Sequence, residues 1–248
     1  MKTLARVPGR FGGVRIFERT IDGARLYCID ASVHTMCRQD GTSLFGYVHA
    51  IKKLVRDANE ILVVGGAGAS MATMLSRRGA AVTVIDVDPA AEKLARQHFG
   101  LPPEVAWVNA DAFVHLTGNT QTFDAIIMDA CDAGGTIAAS TNADHLARLM
   151  DHVREDGLLA VNLAGPDGAP AQSWDLTCAL SAMGFESILL RPEDGWEGNE
   201  ILLISHLPLS PHLDLSDLQE RPAETRTYLR SLRAYAAPPY RSRAKERF

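Results

Sequence analysis

Any fold for this chain has to accommodate residues 60–88. Glu60, Ile61, Leu62, Val63 and Val64 make a short β-branched and leucine run, and Gly65, Gly66, Ala67, Gly68, Ala69 and Ser70 follow as a loop of small residues. An apolar-periodic segment begins at Met71 and stops at Gly79, and a second β-branched run ends in Asp86 and Asp88. That order predicts a β-α-β unit, half of a nucleotide-binding sheet. Glycines in such a loop let the backbone approach a ligand closely, and the first turn of the next helix offers unpaired N–H groups. Asp86, at the tip of the second strand and about twenty residues past the first glycine, stands where such folds place a carboxylate for a ribose diol.

The loop does not suit a dinucleotide. It reads Gly66, x, Gly68, x, x, Met71, with methionine where a third glycine would let helix and strand pack closely. An adenosine ligand without a pyrophosphate fits better, because Asp86 can hold the ribose and Asp111 can accept from the adenine amino group while nothing is spent on phosphate.

The remaining chain extends the same pattern. Val14 to Thr20 and Ala24 to Ile29 alternate around a turn at Ile21, Asp22 and Gly23, which predicts a β-hairpin, and a short helix from Phe45 leads into the first sheet strand. Downstream, Asp88 and Pro89 open a helix that Gly100 closes, and further strands are expected over residues 104–108, 123–128, 157–163, 185–190 and 200–205. Strands alternating with helices imply an α/β fold: a Rossmann-like, doubly wound, mostly parallel sheet of seven strands with a small N-terminal β-rich piece. The expected divisions are 1–50 for the hairpin region, 51–210 for the ligand-binding domain and 211–248 for a basic helical tail.

Composition narrows the class. With 46% hydrophobic and 22% charged residues the chain can bury a sizeable core, and its most apolar windows are interrupted before they reach the length of a membrane span. No apolar segment follows the basic N-terminal residues, so no signal peptide is expected. Cys28, Cys37, Cys131 and Cys178 form no CxxC pair, which suits a reducing cytoplasm, and the eight histidines show no ligand spacing, so no metal is expected. A net charge of −5 argues against nucleic acid as partner. The charge is uneven: seven Arg and one Lys face Glu224 and Glu246 after residue 220. That tail is expected to be a solvated helix, 223–236, docking Leu229, Leu232 and Ala236, or a subunit contact against an acidic surface.

Ligands of open α/β sheets bind at the carboxyl ends of the strands. Every candidate polar group falls there: the glycine loop after the first strand, Asp86 after the second, Asp111 after the third, Asp129 and Asp132 after the fourth. Singly, an aspartate can merely cap a helix; converging, four of them make a site. On these residues, and on Val84 to Asp88, Asn109 to Asp111, Phe123 to Asp132 and the upstream Phe45, Gly46 and Tyr47, the chain resembles the spermidine synthase family within the class I S-adenosylmethionine-dependent methyltransferase fold. The resemblance implies transfer of an aminopropyl group from decarboxylated S-adenosylmethionine to a small-molecule amine, without metal, membrane or nucleic acid, by a homodimer. It implies donor contacts from Gly65, Gly66, Gly68, Asp86, Val87, Asp111, Ala112 and Asp129. Asp129 would accept the amine's proton, Asp132 hold the amine and Tyr47 orient it.

Three positions depart from the family pattern. Its loop aspartate is Gly68 here, its glutamate after the tyrosine is His49, and residues 195–199 lack its tyrosine and proline pattern. A neutral Gly68 leaves space for the carboxylate of intact S-adenosylmethionine, so methyl transfer is the alternative. A third possibility is a ligand-binding protein that kept the adenosine pocket and lost turnover. Trp196 is expected to line the acceptor pocket or to cover the sheet edge. Cys131, between two aspartates, makes a poor nucleophile because neighbouring carboxylates disfavour a thiolate.

Overall fold

The computed structural model describes residues 1–132, 134–164, 170–193, 199–210 and 222–236. Four antiparallel strands come first: β1 (Lys2–Gly9), β2 (Gly12–Glu18), β3 (Arg25–Ile29) and β4 (Ser32–Cys37), paired in chain order. The expected hairpin is β2 with β3, and it gains a neighbour on each side. Helix α1 (Gly46–Leu54) then leads to β5 (Glu60–Val64), a short 3₁₀ turn, α2 (Ser70–Ser76), β6 (Ala81–Asp86), α3 (Ala91–His98), β7 (Ala106–Asn109), α4 (Ala112–Leu116) and β8 (Phe123–Met128). A two-residue ribbon, β9 (Cys131–Asp132) with β10 (Gly135–Thr136), precedes α5 (Ala143–Met150), β11 (Val153–Leu163), α6 (Pro170–Ala182), β12 (Glu186–Pro192), β13 (Glu200–Ser205), α7 (Ala223–Ser231) and β14 (Leu232–Ala236).

The main sheet runs in the order β14-β12-β13-β11-β8-β5-β6-β7. From β11 to β7 the neighbours are parallel, and β13, β12 and β14 extend the sheet antiparallel. The chain leaves β5 for β6 on one side and returns to β8 on the other, so the strand order reverses between β5 and β8. In open α/β sheets this is where a ligand crevice forms.

Both faces of the central strands are buried, which explains their unbroken apolar runs. Ile61 and Val63 of β5 and Ala125 and Ile127 of β8 pack with α1, α2 and α7 through Ile51, Leu75 and Leu229. The alternate residues Leu62, Val64, Ile126 and Met128 pack on the other face with α5 and α6 through Leu146, Leu149 and Leu180. The N-terminal sheet docks separately, through Val14, Ile16, Tyr27 and Ile29 against Leu94 of α3 and Phe99.

Several expectations need correction. The main sheet has eight strands, not seven, because the C-terminal helix ends at Ser231 and Leu232–Ala236 continues as an edge strand on β12, with Leu232 opposite Pro192 and Ala236 opposite Ile188. Leu229 and Leu232 are buried as expected, but Ala236 is exposed in the strand. Arg233 pairs with Glu193 at 2.7 Å, an ion pair available only once that edge has formed. Asp88 does not cap α3 directly: its Oδ1 accepts from the Ala90 N–H at 2.9 Å in a turn before the helix. Trp196, loop residue Ala133 and the basic segment after residue 236 lie outside the described residues.

Helix α7 packs on α1 where a side chain is missing. A Cβ on Gly46 would stand 2.4 Å from Cδ1 of Tyr228 and 2.6 Å from its Cβ. Gly46→Ala is therefore expected to displace α7 and to cost about 1–3 kcal/mol, read as a lowered midpoint in thermal unfolding.

Candidate active site

The loop after β5 holds its conformation by two close approaches. Gly65 has φ of +92°, and a Cβ there would meet the Asp129 carbonyl oxygen at 2.7 Å. A Cβ on Gly66 would strike Trp107 at 2.4 Å and Val84 at 2.7 Å. Only glycine tolerates both demands. The Gly66 N–H donates to Asp86 Oδ2 at 2.5 Å, and the Asp88 N–H donates to Asp86 Oδ1 at 2.7 Å. Burial pushes the Asp86 carboxyl up, and those two backbone N–H groups oppose the shift. Asp88, itself buried, accepts from the Arg10 N–H at 3.2 Å and so ties the β1–β2 tip to the tip of β6. Asp111 caps α4 by accepting from the Phe113 and Val114 N–H groups at 2.9 and 3.2 Å.

At the tip of β8, the Asp129 N–H donates to the Val64 carbonyl at 2.8 Å, carrying the β5–β8 pairing one residue further. Its side chain is half-buried and lines the cavity described below. Oδ1 accepts from Asn162 Nδ2 at 2.7 Å, and Oδ2 accepts from the Tyr47 hydroxyl at 3.3 Å. Burial pushes the Asp129 carboxyl up to about 7, against the two hydrogen bonds that favour the charged form. Burial and the adjacent Asp129 hold the Tyr47 phenol well above its ordinary range. Asp132 Oδ1 accepts from the Gly134 N–H at 2.8 Å. Burial, with Asp129 beside it, pushes the Cys131 thiol up to about 12, so it stays protonated.

These groups share one cavity of about 550 Å³. Gly65, Gly66, Asp86, Val87, Asp111 and Ala112 line it on the β5, β6 and β7 side, and Tyr47, Asp129 and Asp132 on the β8 side. The sequence had brought the glycine loop and the aspartates to one sheet edge and Tyr47 only by resemblance; the fold gathers them around one space. Gly68 is the exception and corrects the expectation. It lies outside the lining, and a Cβ on it would meet the Thr35 side chain at 2.8 Å. Thr35 of β4 fills the room that a glycine was expected to leave for a carboxylate, and its hydroxyl donates to the Ala67 carbonyl. His49 is buried with Nε2 2.8 Å from the Ser43 carbonyl and does not line the cavity.

Among the lining residues that escaped sequence reasoning are His34, Asn162, Asn199 and Tyr228. Asn162 carried a signal, a polar residue within the otherwise apolar carboxyl-terminal half of its strand. The others carried none, since β4, the start of β13 and α7 reach the cavity only by folding. Among the described residues no group of three His, Cys, Asp or Glu could hold a metal ion, and no helix is long and apolar enough to cross a membrane.

Sheet order, glycine loop and acidic strand tips define a Rossmann-like α/β protein with the cavity at its topological switch point. Residues 46–164 match the family model of the spermine/spermidine synthase domain. A probable spermidine synthase from Corynebacterium glutamicum shares the fold with a TM-score of 0.76 at 18% identity, over 95% of this chain and 91% of that one. Polyamine aminopropyltransferase 1 of Streptomyces coelicolor is 29% identical over 139 residues, 52% of this chain and 26% of that protein. The N-terminal histidine N-methyltransferase of Emericella nidulans is 26% identical over 122 residues, 47% of this chain and 22% of that protein. The match thus spans about a quarter of the length of these curated relatives.

Asp129 binds its proton more tightly folded than unfolded, so the stability it contributes is fully present below pH 4 and is lost as pH rises through about 7. Asp129→Asn is therefore expected to stabilise the protein at pH 8, by several °C in thermal unfolding, with a gain that grows from pH 4 to pH 7 and then levels off.

Proposed function

We propose that the protein is a spermidine-synthase-like transferase that moves an aminopropyl group from decarboxylated S-adenosylmethionine to a small-molecule amine. One observation carries this reading. The cavity presents five carboxylates, Asp86, Asp88, Asp111, Asp129 and Asp132, and no Lys or Arg among the described residues lines it. Both substrates of aminopropyl transfer are cations and gain from that field. The carboxylate of intact S-adenosylmethionine would enter it without a counter-ion, with Thr35 rather than open space beside Gly68. The family match and the name of the Streptomyces relative point the same way.

In this reading Gly65 and Gly66 admit the donor, Asp86 beside Val87 accepts from the ribose diol, and Asp111 beside Ala112 accepts from the adenine amino group. Each carboxylate oxygen has two lone pairs, so the backbone bonds already made to Asp86 and Asp111 leave capacity for a ligand. Asp132 attracts the acceptor ammonium and Tyr47 orients it. An alkylamine with a pKa near ~10 costs about 4 kcal/mol to present as free base at pH 7. Its nitrogen then attacks the propyl carbon on the sulfonium; the C–N bond forms, the C–S bond breaks with its electron pair on sulfur, and the amine's proton passes to Asp129. A base titrating near 7 suits that transfer. We extend the proposal to a cytoplasmic homodimer. The free edges of the four-stranded N-terminal sheet are compatible with a subunit contact, and concentration-dependent size-exclusion chromatography tests it.

Product analysis decides the chemistry. With decarboxylated S-adenosylmethionine and a panel of amines, methylthioadenosine is the expected product; S-adenosylhomocysteine formed from the intact donor would mark methyl transfer instead, and binding without product would mark lost turnover. Asp129→Asn is expected to lower kcat about 10²–10⁴-fold while methylthioadenosine still binds. For the wild type, kcat/KM should rise with pH through an acid limb near 7, because the base must be ionised.

A further inference from the structure

We propose that Asn162, braced by Asn199, is a positioning residue that fixes the orientation and the charge of the Asp129 carboxylate. Asn162 is 2% exposed within the apolar end of β11. Val161 pairs with Met128 of β8, so Asn162 stands level with Asp129. A buried amide is costly unless both of its ends are bonded. Both are: Nδ2 donates to Asp129 Oδ1 at 2.7 Å, and Oδ1 accepts from Asn199 Nδ2 at 2.7 Å. Asn199 is held in turn, because its carbonyl accepts from the Tyr228 hydroxyl at 2.5 Å.

The chain of bonds has a direction. Turning the Asn162 amide over would set its oxygen against an acceptor-only carboxylate and its NH₂ against the NH₂ of Asn199. Against the ionised carboxylate Asn162 is therefore a donor to Asp129, and Oδ1 is committed. Oδ2, whose bond from Tyr47 is long at 3.3 Å, is the oxygen left to take a proton. The ionisable groups that share the cavity with it are Tyr47 from α1, Tyr228 from α7, Tyr27 from β3, His34 from β4, Cys131 and Asp132 after β8, and Asp86, Asp88 and Asp111 at the ends of β6 and β7. Burial holds the three phenols and the thiol in their neutral forms and also disfavours the protonated form of His34. The other carboxylates supply no donor to Asp129. A neutral amide donor is thus what offsets the burial of Asp129 without placing a cation in a site for cations.

The catalytic consequence rests on the proposed aminopropyl transfer; the electrostatic part does not, and it can be measured on the protein alone. In pH-titrated infrared difference spectra, the protonated carboxyl band that disappears in Asp129→Asn should titrate near 7 in the wild type. In Asn162→Leu, similar in volume but without the donor, its midpoint should lie about one pH unit or more higher. In Asn199→Ala, which removes only the brace, it should shift upward by less. Far-UV circular dichroism and methylthioadenosine binding check that each variant is folded, and Asn199→Ala carries the test if Asn162→Leu does not fold. A midpoint that stays put or falls in a folded variant overturns the inference. With decarboxylated S-adenosylmethionine and putrescine, the acid limb of kcat/KM should move in step with the band. A wild type that forms no product with any amine tested, while the band still shifts in the variants, would sink the proposed function and leave the relay standing. An active wild type with an unmoved band would sink the relay alone.

Discussion

The site depends on the parallel pairing of β5 with β8 and its extension by one hydrogen bond, Asp129 N–H to the Val64 carbonyl. That bond puts the glycine loop and the Asp129 backbone in van der Waals contact, close enough that a Cβ on Gly65 would not fit. It also sets the height of everything on either side. Asp86 at the end of β6 and Asn162 near the end of β11 lie at the same edge because their strands are in register with this central pair. The pairing is itself held by burial on both faces, Ile61, Val63 and Ile127 against α1 and α2, and Leu62, Val64 and Ile126 against α5. A shift of one residue would exchange these two sets and move every strand tip.

Gathering five carboxylates in one cavity is expensive, and the structure shows how the expense is met. Asp111 accepts backbone N–H groups from the turn that follows its own strand, and Asp86 accepts one from the turn after β6 and one from Gly66 in the adjacent glycine loop, so backbone donors stabilise both. Asp88 does the same and also receives the Arg10 N–H from the N-terminal sheet. Asp129 has no such backbone donors. It is stabilised by side chains from two distant elements, Tyr47 on α1 and Asn162 on β11, and it remains the carboxylate that burial shifts furthest among those lining the cavity. A group held ionised by long-range contacts alone, with a titration near neutrality, is suited to exchanging a proton during a reaction cycle.

The fold was largely legible because its signals are local. Residues 60–88 carry strand, turn and helix patterns within short windows, and buried parallel strands declare themselves as apolar runs. Errors fell where local pattern and tertiary pairing disagree. Leu232–Ala236 reads as helix because arginine and alanine favour it, yet an open edge on β12 and the partners Glu193 and Arg191 draw it into a strand. The outer strands β1 and β4 were missed for a related reason: they are paired on one edge only, and their mixed burial blurs the alternation.

By itself the sequence determined the β-α-β core, the sheet edge that lines the cavity, and the acidic character of that edge, because each follows from residues near one another in the chain. Folding alone decided which neighbours complete the site. Thr35 occupies the space beside Gly68, and Tyr228, Asn199 and Asn162 form a chain of hydrogen bonds that ends on Asp129, from segments that no spacing rule connects. The physical reason is the range of the forces: turns, caps and strand runs are set by short-range sterics and hydrogen bonds, whereas the burial that shifts Asp129 and the donors that oppose it exist only once separate elements have closed over the carboxylate.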